Sequence, residues 1–77
     1  MKLKQLLTER ERDVIKLLTK GFTNNEISEI LHISIHTTKA HLESIYEKIE
    51  VSNRLQASIK AVYDGIVDIE DAIQINS

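Results

Sequence analysis

Three histidines, His32, His36 and His41, fall within ten residues, and imidazoles that close together raise the question of a metal centre. Their spacing argues against one: His32 belongs to a turn, His36 and His41 stand five apart and diverge on a helix, and the chain has no cysteine to complete a ligand set. No metal and no cofactor is expected. Nor does a catalytic constellation stand out, because the serines lack a paired base, the carboxylates fall on solvated faces and no glycine-rich loop is present to cradle a phosphate. No catalytic residue is assigned, and the chain is not read as an enzyme. Another chemistry is available in the same stretch. His36, Thr37, Lys39, Ala40, Glu43 and Ser44 are small or polar groups crowded into one segment, and together they carry the donors, acceptors and methyls that can meet the edges of bases.

Such groups need a rigid carrier, and the chain marks its helices clearly. Thr8-Glu9-Arg10-Glu11 and Thr23-Asn24-Asn25-Glu26 both have the spacing of a capping box, in which the threonine oxygen accepts the N3 amide proton and the glutamate reaches back to the cap's own N–H. A first helix therefore begins after Thr8 and stops at Gly21, with Leu7 just before it and Val14, Ile15 and Leu18 within it recurring at helical spacing. A short second helix carries Ile27, Ile30 and Leu31 and runs only to about His32. Ser34 caps a third over about 35–49, with Thr38, Leu42, Ile45 and Ile49 as its inward stripe. Val51-Ser52-Asn53 breaks the pattern before a fourth helix over about 53–64, which Gly65 ends.

The short helix, tight turn and longer helix make a helix-turn-helix. Its turn requires one residue of positive φ, and the place falls near His32, a residue type enriched in that region. Ser28 is small enough to let the two backbones approach. The expected fold is all-α, a four-helix compact domain over residues 8–67. A lead-in over 1–7 precedes it, and an acidic extension over 68–77 follows, in which Asp68-Ile69-Glu70-Asp71-Ala72-Ile73 reads as a short helix.

Composition agrees with this and narrows the function classes. Seventy-seven residues hold one small domain with a modest core, proline is absent, and an apolar fraction of 42% with only 4% aromatic is that of a helical bundle. No apolar run exceeds three residues, which excludes a membrane span and a signal-peptide core and, with no targeting signal, points to the cytoplasm. The net charge of −2 argues on its face against nucleic acid, but it is unevenly spread: +3 over residues 1–20, −2 over 21–54 and −3 over 55–77. With the third helix's stripe turned inward, His36, Ala40, Glu43 and Glu47 lie opposite the core, flanked by Thr37, Lys39 and Ser44. By periodicity alone that face is either an ordinary solvated one or one shaped to enter a DNA major groove.

At this point the chain resembles the LuxR/GerE-type helix-turn-helix domain of bacterial transcription regulators. The likeness runs from Leu7 to about Val67. It rests on Leu7-Thr8-Glu9-Arg10-Glu11, Gly21-Phe22-Thr23-Asn24-Asn25-Glu26-Ile27, Thr37-Thr38-Lys39-Ala40-His41, Lys48-Ile49-Glu50-Val51 and Arg54-Leu55-Gln56-Ala57, in that order and spacing. The resemblance implies a sequence-specific DNA-binding regulator, stand-alone or the output domain of a response regulator, that binds as a dimer with the third helix in the major groove. Double-stranded DNA, a second copy of the chain and RNA polymerase are the candidate partners. The DNA-binding set is then Thr23, Asn24, His36, Thr37, Lys39, Ala40, Glu43 and Ser44. Leu55, Ile59, Val62 and Ile66 form an apolar stripe on the fourth helix, separate from the small residues Ala57 and Ala61 that seat it, and this stripe is the expected dimer contact.

Five positions depart from the family pattern or invite a structural reading. Thr38 puts a hydroxyl where the family has valine, and a bond back along its own helix is expected to satisfy it. Asn25 stands where the family often has lysine, and Glu43 where it often has lysine or another polar residue, which should weaken non-specific DNA affinity. Arg54, a cation at a helix start, is expected to bridge to Glu11 or Glu26, with a phosphate contact as the other reading. His41 is expected half-buried. A rival from another class remains: a helical protein-interaction module whose degenerate helix-turn-helix no longer reads DNA, supported by the net acidity and by Glu43.

Overall fold

Helix ends dominate the architecture. In a computed structural model of the chain, which describes residues 6–72, the order is α1 (Glu9–Thr19), α2 (Asn24–Leu31), α3 (Ile35–Lys48), α4 (Arg54–Tyr63) and the single turn α5 (Ile69–Ala72). Each of the four principal helices opens on a side-chain cap: Thr8 and Thr23 in complete capping boxes, Ser34 accepting from Thr37 N, and Asn53 accepting from Gln56 N. These bonds satisfy amide protons that the first turn would otherwise leave unpaired.

Each of the four also closes in one way, with a residue of positive φ followed by an apolar residue whose N–H bonds back to the last turn. Gly21, His32, Glu50 and Gly65 take the left-handed conformation at φ of 93°, 56°, 59° and 72°. The following Phe22, Ile33, Val51 and Ile66 donate to the carbonyls of Leu17, Ser28, Tyr46 and Ala61. This is the Schellman reversal, which turns the apolar residue after the stop back against the helix it ends. The turn of the helix-turn-helix does lie at His32, as its position in the chain requires.

That reversal corrects the reading of Ile66. Extending the α4 stripe by helical spacing put Ile66 beside Leu55, Ile59 and Val62, but the helix ends at Tyr63 and the turn at Gly65 swings Ile66 inward, where it is 6% exposed. It joins the core, together with the fully buried Val67, and α5 then packs on α1. Among the described residues, the chain after α4 therefore folds onto the first helix. The parts of the lead-in and the extension at 1–5 and 73–77 lie outside the described residues.

Helix α1 is the centre of the packing and touches α2, α3, α4 and α5. Its Val14, Ile15 and Leu18 are buried with Ile27 of α2, Leu42 and Ile45 of α3, Ile49, and Leu7 from the segment before α1. Ala57 and Ala61 are fully buried, and their small side chains let α4 sit close against α1. Ile30, by contrast, points outward on α2. Among the described residues no helix is long and apolar enough to cross a membrane.

Two of the four left-handed positions are not glycine, and a β-carbon is disfavoured there. Glu50→Gly should therefore raise stability by about 0.5–1 kcal/mol, read as a higher urea midpoint at unchanged slope. Gly65→Ala should lower it by a similar amount through φ alone, since nothing lies within 4 Å of the place its β-carbon would occupy. Equal midpoints for wild type and Glu50→Gly would contradict this account.

Candidate nucleic-acid interface

The crossing of α2 over α3 is locked by a buried chain of hydroxyls. Ser28 Oγ donates to Asn24 O at 2.7 Å and lies 2.7 Å from Thr38 Oγ1. Serine has one hydroxyl proton, already given to the Asn24 carbonyl, so Thr38 is the donor between the two. The bond expected back along α3 is thus replaced by one across the crossing. The reason is proximity: Ser28 and Thr38 are both buried where the helices meet, and a fully buried hydroxyl takes the partner it faces.

With Thr38, Leu42 and Ile45 buried, α3 presents His36, Lys39, Ala40, Glu43 and Glu47 to solvent. His41 is half-buried, as expected. Thr37 is also half-buried, and its hydroxyl oxygen accepts from Ser34 Oγ at 2.9 Å. The two edges of the exposed face differ in a way that helical spacing does not reveal. One edge turns to α1: Ser44 Oγ donates to Glu11 Oε2 at 2.5 Å and Lys48 Nζ to Glu11 Oε1 at 2.7 Å. Ser44 is therefore removed from the set of DNA-facing candidates, because its hydroxyl is committed to a buried carboxylate.

The other edge turns toward the start of α2. There Lys39 and Ile35 line a cavity of about 550 Å³ with Thr23, Asn24, Asn25 and Arg54, and Lys39 lines a neighbouring one of about 240 Å³ with Glu43 and Tyr46. Ile35 and Tyr46 were not singled out by the sequence, although their spacing from Lys39, four residues before and seven after, is that of one helix edge. Arg54 forms neither expected bridge. Its guanidinium donates to Phe22 O and, at 3.3 Å, to Asn24 Oδ1. Glu11 is taken by Lys48, and Glu26 is held by its own capping box.

Glu11 anchors the whole arrangement. It is 3% exposed, accepts from Thr8 N at 2.8 Å, and takes the two bonds from α3. Burial by itself would raise its carboxyl, but the bonds from Lys48, Ser44 and the Thr8 amide outweigh burial and lower the pKa from 4.5 to about 2. One carboxylate thus joins the start of α1 to the second half of the exposed helix.

A short helix, a left-handed turn and a longer helix with a polar exposed face define a helix-turn-helix DNA-binding domain. Comparison with known proteins agrees. The profile of the GerE family, described as bacterial regulatory proteins of the luxR family, matches residues 5–61, and the chain belongs to that family of DNA-binding transcription regulators. It is 41% identical over 63 residues to the response regulator protein VraR of Staphylococcus aureus strain Mu3, a match covering 82% of this chain and 30% of that protein. The VraR proteins of Staphylococcus saprophyticus and Staphylococcus epidermidis match to the same extent. The chain spans about 30% of the length of these relatives.

The Glu11 hub has a measurable pH signature. Its folded pKa lies below its unfolded one, so its contribution is complete above about pH 5 and is lost as pH falls from 4.5 toward 2. The loss should amount to about 2–3 kcal/mol. Urea titrations between pH 6 and 2.5 should show this fall in the wild type and a flatter profile in Glu11→Gln, whose stability at pH 6 is already reduced. Parallel profiles would show that other carboxylates govern acid unfolding.

Proposed function

We infer that this chain is the sequence-reading unit of a bacterial transcription regulator, inserting α3 into the major groove of double-stranded DNA. One observation carries the reading: α3 is held by a buried stripe while His36, Lys39, Ala40 and Glu43 stand exposed on its far side. Lys39 would make a base or phosphate contact, Ala40 lets the helix sit deep, and Glu43 accepts from cytosine or discourages wrong sites. Thr23, Asn24 and Thr37 stand at helix starts, where side chains and free amides meet phosphates. The relatives' name, response regulator, favours an output domain that acts under a signalling segment. The work is binding without catalysis, it takes place in the cytoplasm where the DNA is, and RNA polymerase would be a further partner.

A second copy of the chain completes the reading. Leu55 and Ile59 are 70% and 60% exposed on one face of α4, Val62 is half-buried beside them, and Tyr63, 87% exposed and four residues beyond Ile59, extends that face in place of the buried Ile66. Apolar groups so exposed suit an interface. Pairing two such faces would set two α3 helices about one DNA turn, roughly 34 Å, apart on a two-half-site target.

Two measurements test this. In mobility-shift titrations on a selected site, Lys39→Ala should cost about 1–3 kcal/mol of binding while Lys60→Ala costs little. Equal small effects would remove α3 as the reading helix, and no shift even on random duplex at about 50 mM salt would favour the protein-interaction module. Ile59→Asp should leave the circular dichroism of the monomer unchanged and abolish cooperative binding to two half-sites. Retained cooperativity would place dimerisation elsewhere.

A further inference from the structure

The cations of this chain divide by whether a carboxylate answers them. Lys48 lies 2.7 Å from Glu11, and Arg10 lies 3.7 Å from Asp13. Arg54 is different: among the described residues no carboxylate pairs with it, and its guanidinium donates to two neutral oxygens, Phe22 O and Asn24 Oδ1. It is half-buried at the first residue of α4, where the helix dipole disfavours a positive charge. Lys39 also lacks an ion pair among the described residues, and the two cations line one cavity of about 550 Å³ whose walls include Thr23, Asn24 and Asn25 and no acid. In a chain whose net charge is −2, a concavity with two cations and no carboxylate is an imbalance that an anion would correct.

We propose that this cavity seats one phosphate of the DNA backbone, bound by the Arg54 guanidinium with Lys39 and the Asn24 amide at its rim. The proposal rests on the DNA reading above and adds to it a contact contributed by α4. Arginine suits the position because its planar fork has five N–H donors: two hold Phe22 O and Asn24 Oδ1, and the remainder can meet two phosphate oxygens without releasing them. The same bond orients Asn24. Its Oδ1 faces the guanidinium, so its NH₂ group is left as a donor for the anion. The start of α4 is thereby tied to the start of α2 on the side where α3 exposes Lys39, and the phosphate closes a triangle of three helices.

The test is a titration of the full chain with random-sequence duplex between about 50 and 200 mM salt, since each phosphate neutralised contributes about 0.9 to the slope of log affinity against log salt. Arg54→Gln should weaken binding about 3–10-fold at the lower salt and reduce the slope by about one. Arg54→Lys, which keeps the charge, should restore the slope, and Lys60→Gln should change neither quantity. A purely structural Arg54 would lower affinity at unchanged slope, and that result overturns the seat. If Arg54→Gln fails to fold by circular dichroism, the wild type decides. Its Arg54 Nε–H resonance should move on adding duplex and stay in place with an uncharged methylphosphonate duplex, and an unmoved resonance overturns the proposal. If the wild type binds no duplex, the DNA reading falls and the seat with it. If it binds and Arg54→Gln keeps the full slope, only the seat falls.

Discussion

The orientation of α3 depends on one buried carboxylate. Glu11 begins as a local device, the far half of the Thr8 capping box, yet its two oxygens also take Ser44 and Lys48 from a helix more than thirty residues away. A charged group 3% exposed is tolerable only if its lone pairs are filled, and here three donors fill them. The consequence is geometric: α3 cannot rotate about its axis without breaking bonds to an ion that has no water to replace them. Which residues of α3 face outward is thus settled on its inner side.

A second constraint acts at the other end of the same helix. The Thr38 hydroxyl donates to Ser28, and Ser28 donates to the Asn24 carbonyl, so the crossing of α2 and α3 is held by directional bonds as well as by apolar contact. A threonine at this position gives up some of the apolar burial that a valine would have but supplies a partner for a serine that is itself buried. Crossing and rotation are held by separate groups, Ser28 with Thr38 for the first and Glu11 with Ser44 and Lys48 for the second. Lys39 and its neighbours are thereby presented on a rigid element, as a reading surface requires.

The division of the cations follows from this framework. Lys48 is consumed in holding α3, whereas Lys39, on the opposite edge, is left facing solvent beside Arg54. A chain with few basic groups can still present a local positive site if its carboxylates are engaged in capping and anchoring, as Glu11 and Glu26 are. Net charge describes long-range steering, while contact depends on which charges remain unpaired at the surface.

Much of the fold was legible in the residues because helix ends are local. The capping boxes at Thr8 and Thr23, the cap at Ser34, the left-handed turn at His32 and the inward stripe of Thr38, Leu42, Ile45 and Ile49 each depend on groups within a few positions of one another, and each stands where spacing placed it. What tertiary structure decided was the partner of every polar group that reaches beyond its own helix. Ser44 and Lys39 flank the same face, but only packing against α1 turns one to Glu11 and leaves the other to solvent. Arg54 finds Phe22 and Asn24 instead of a carboxylate, and Ile66 enters the core because the chain reverses at Gly65 just where periodicity would have carried it outward. Periodicity says which side of a helix is apolar; it does not say which neighbour lies against each edge, because that depends on crossing angles set by contacts distant in sequence.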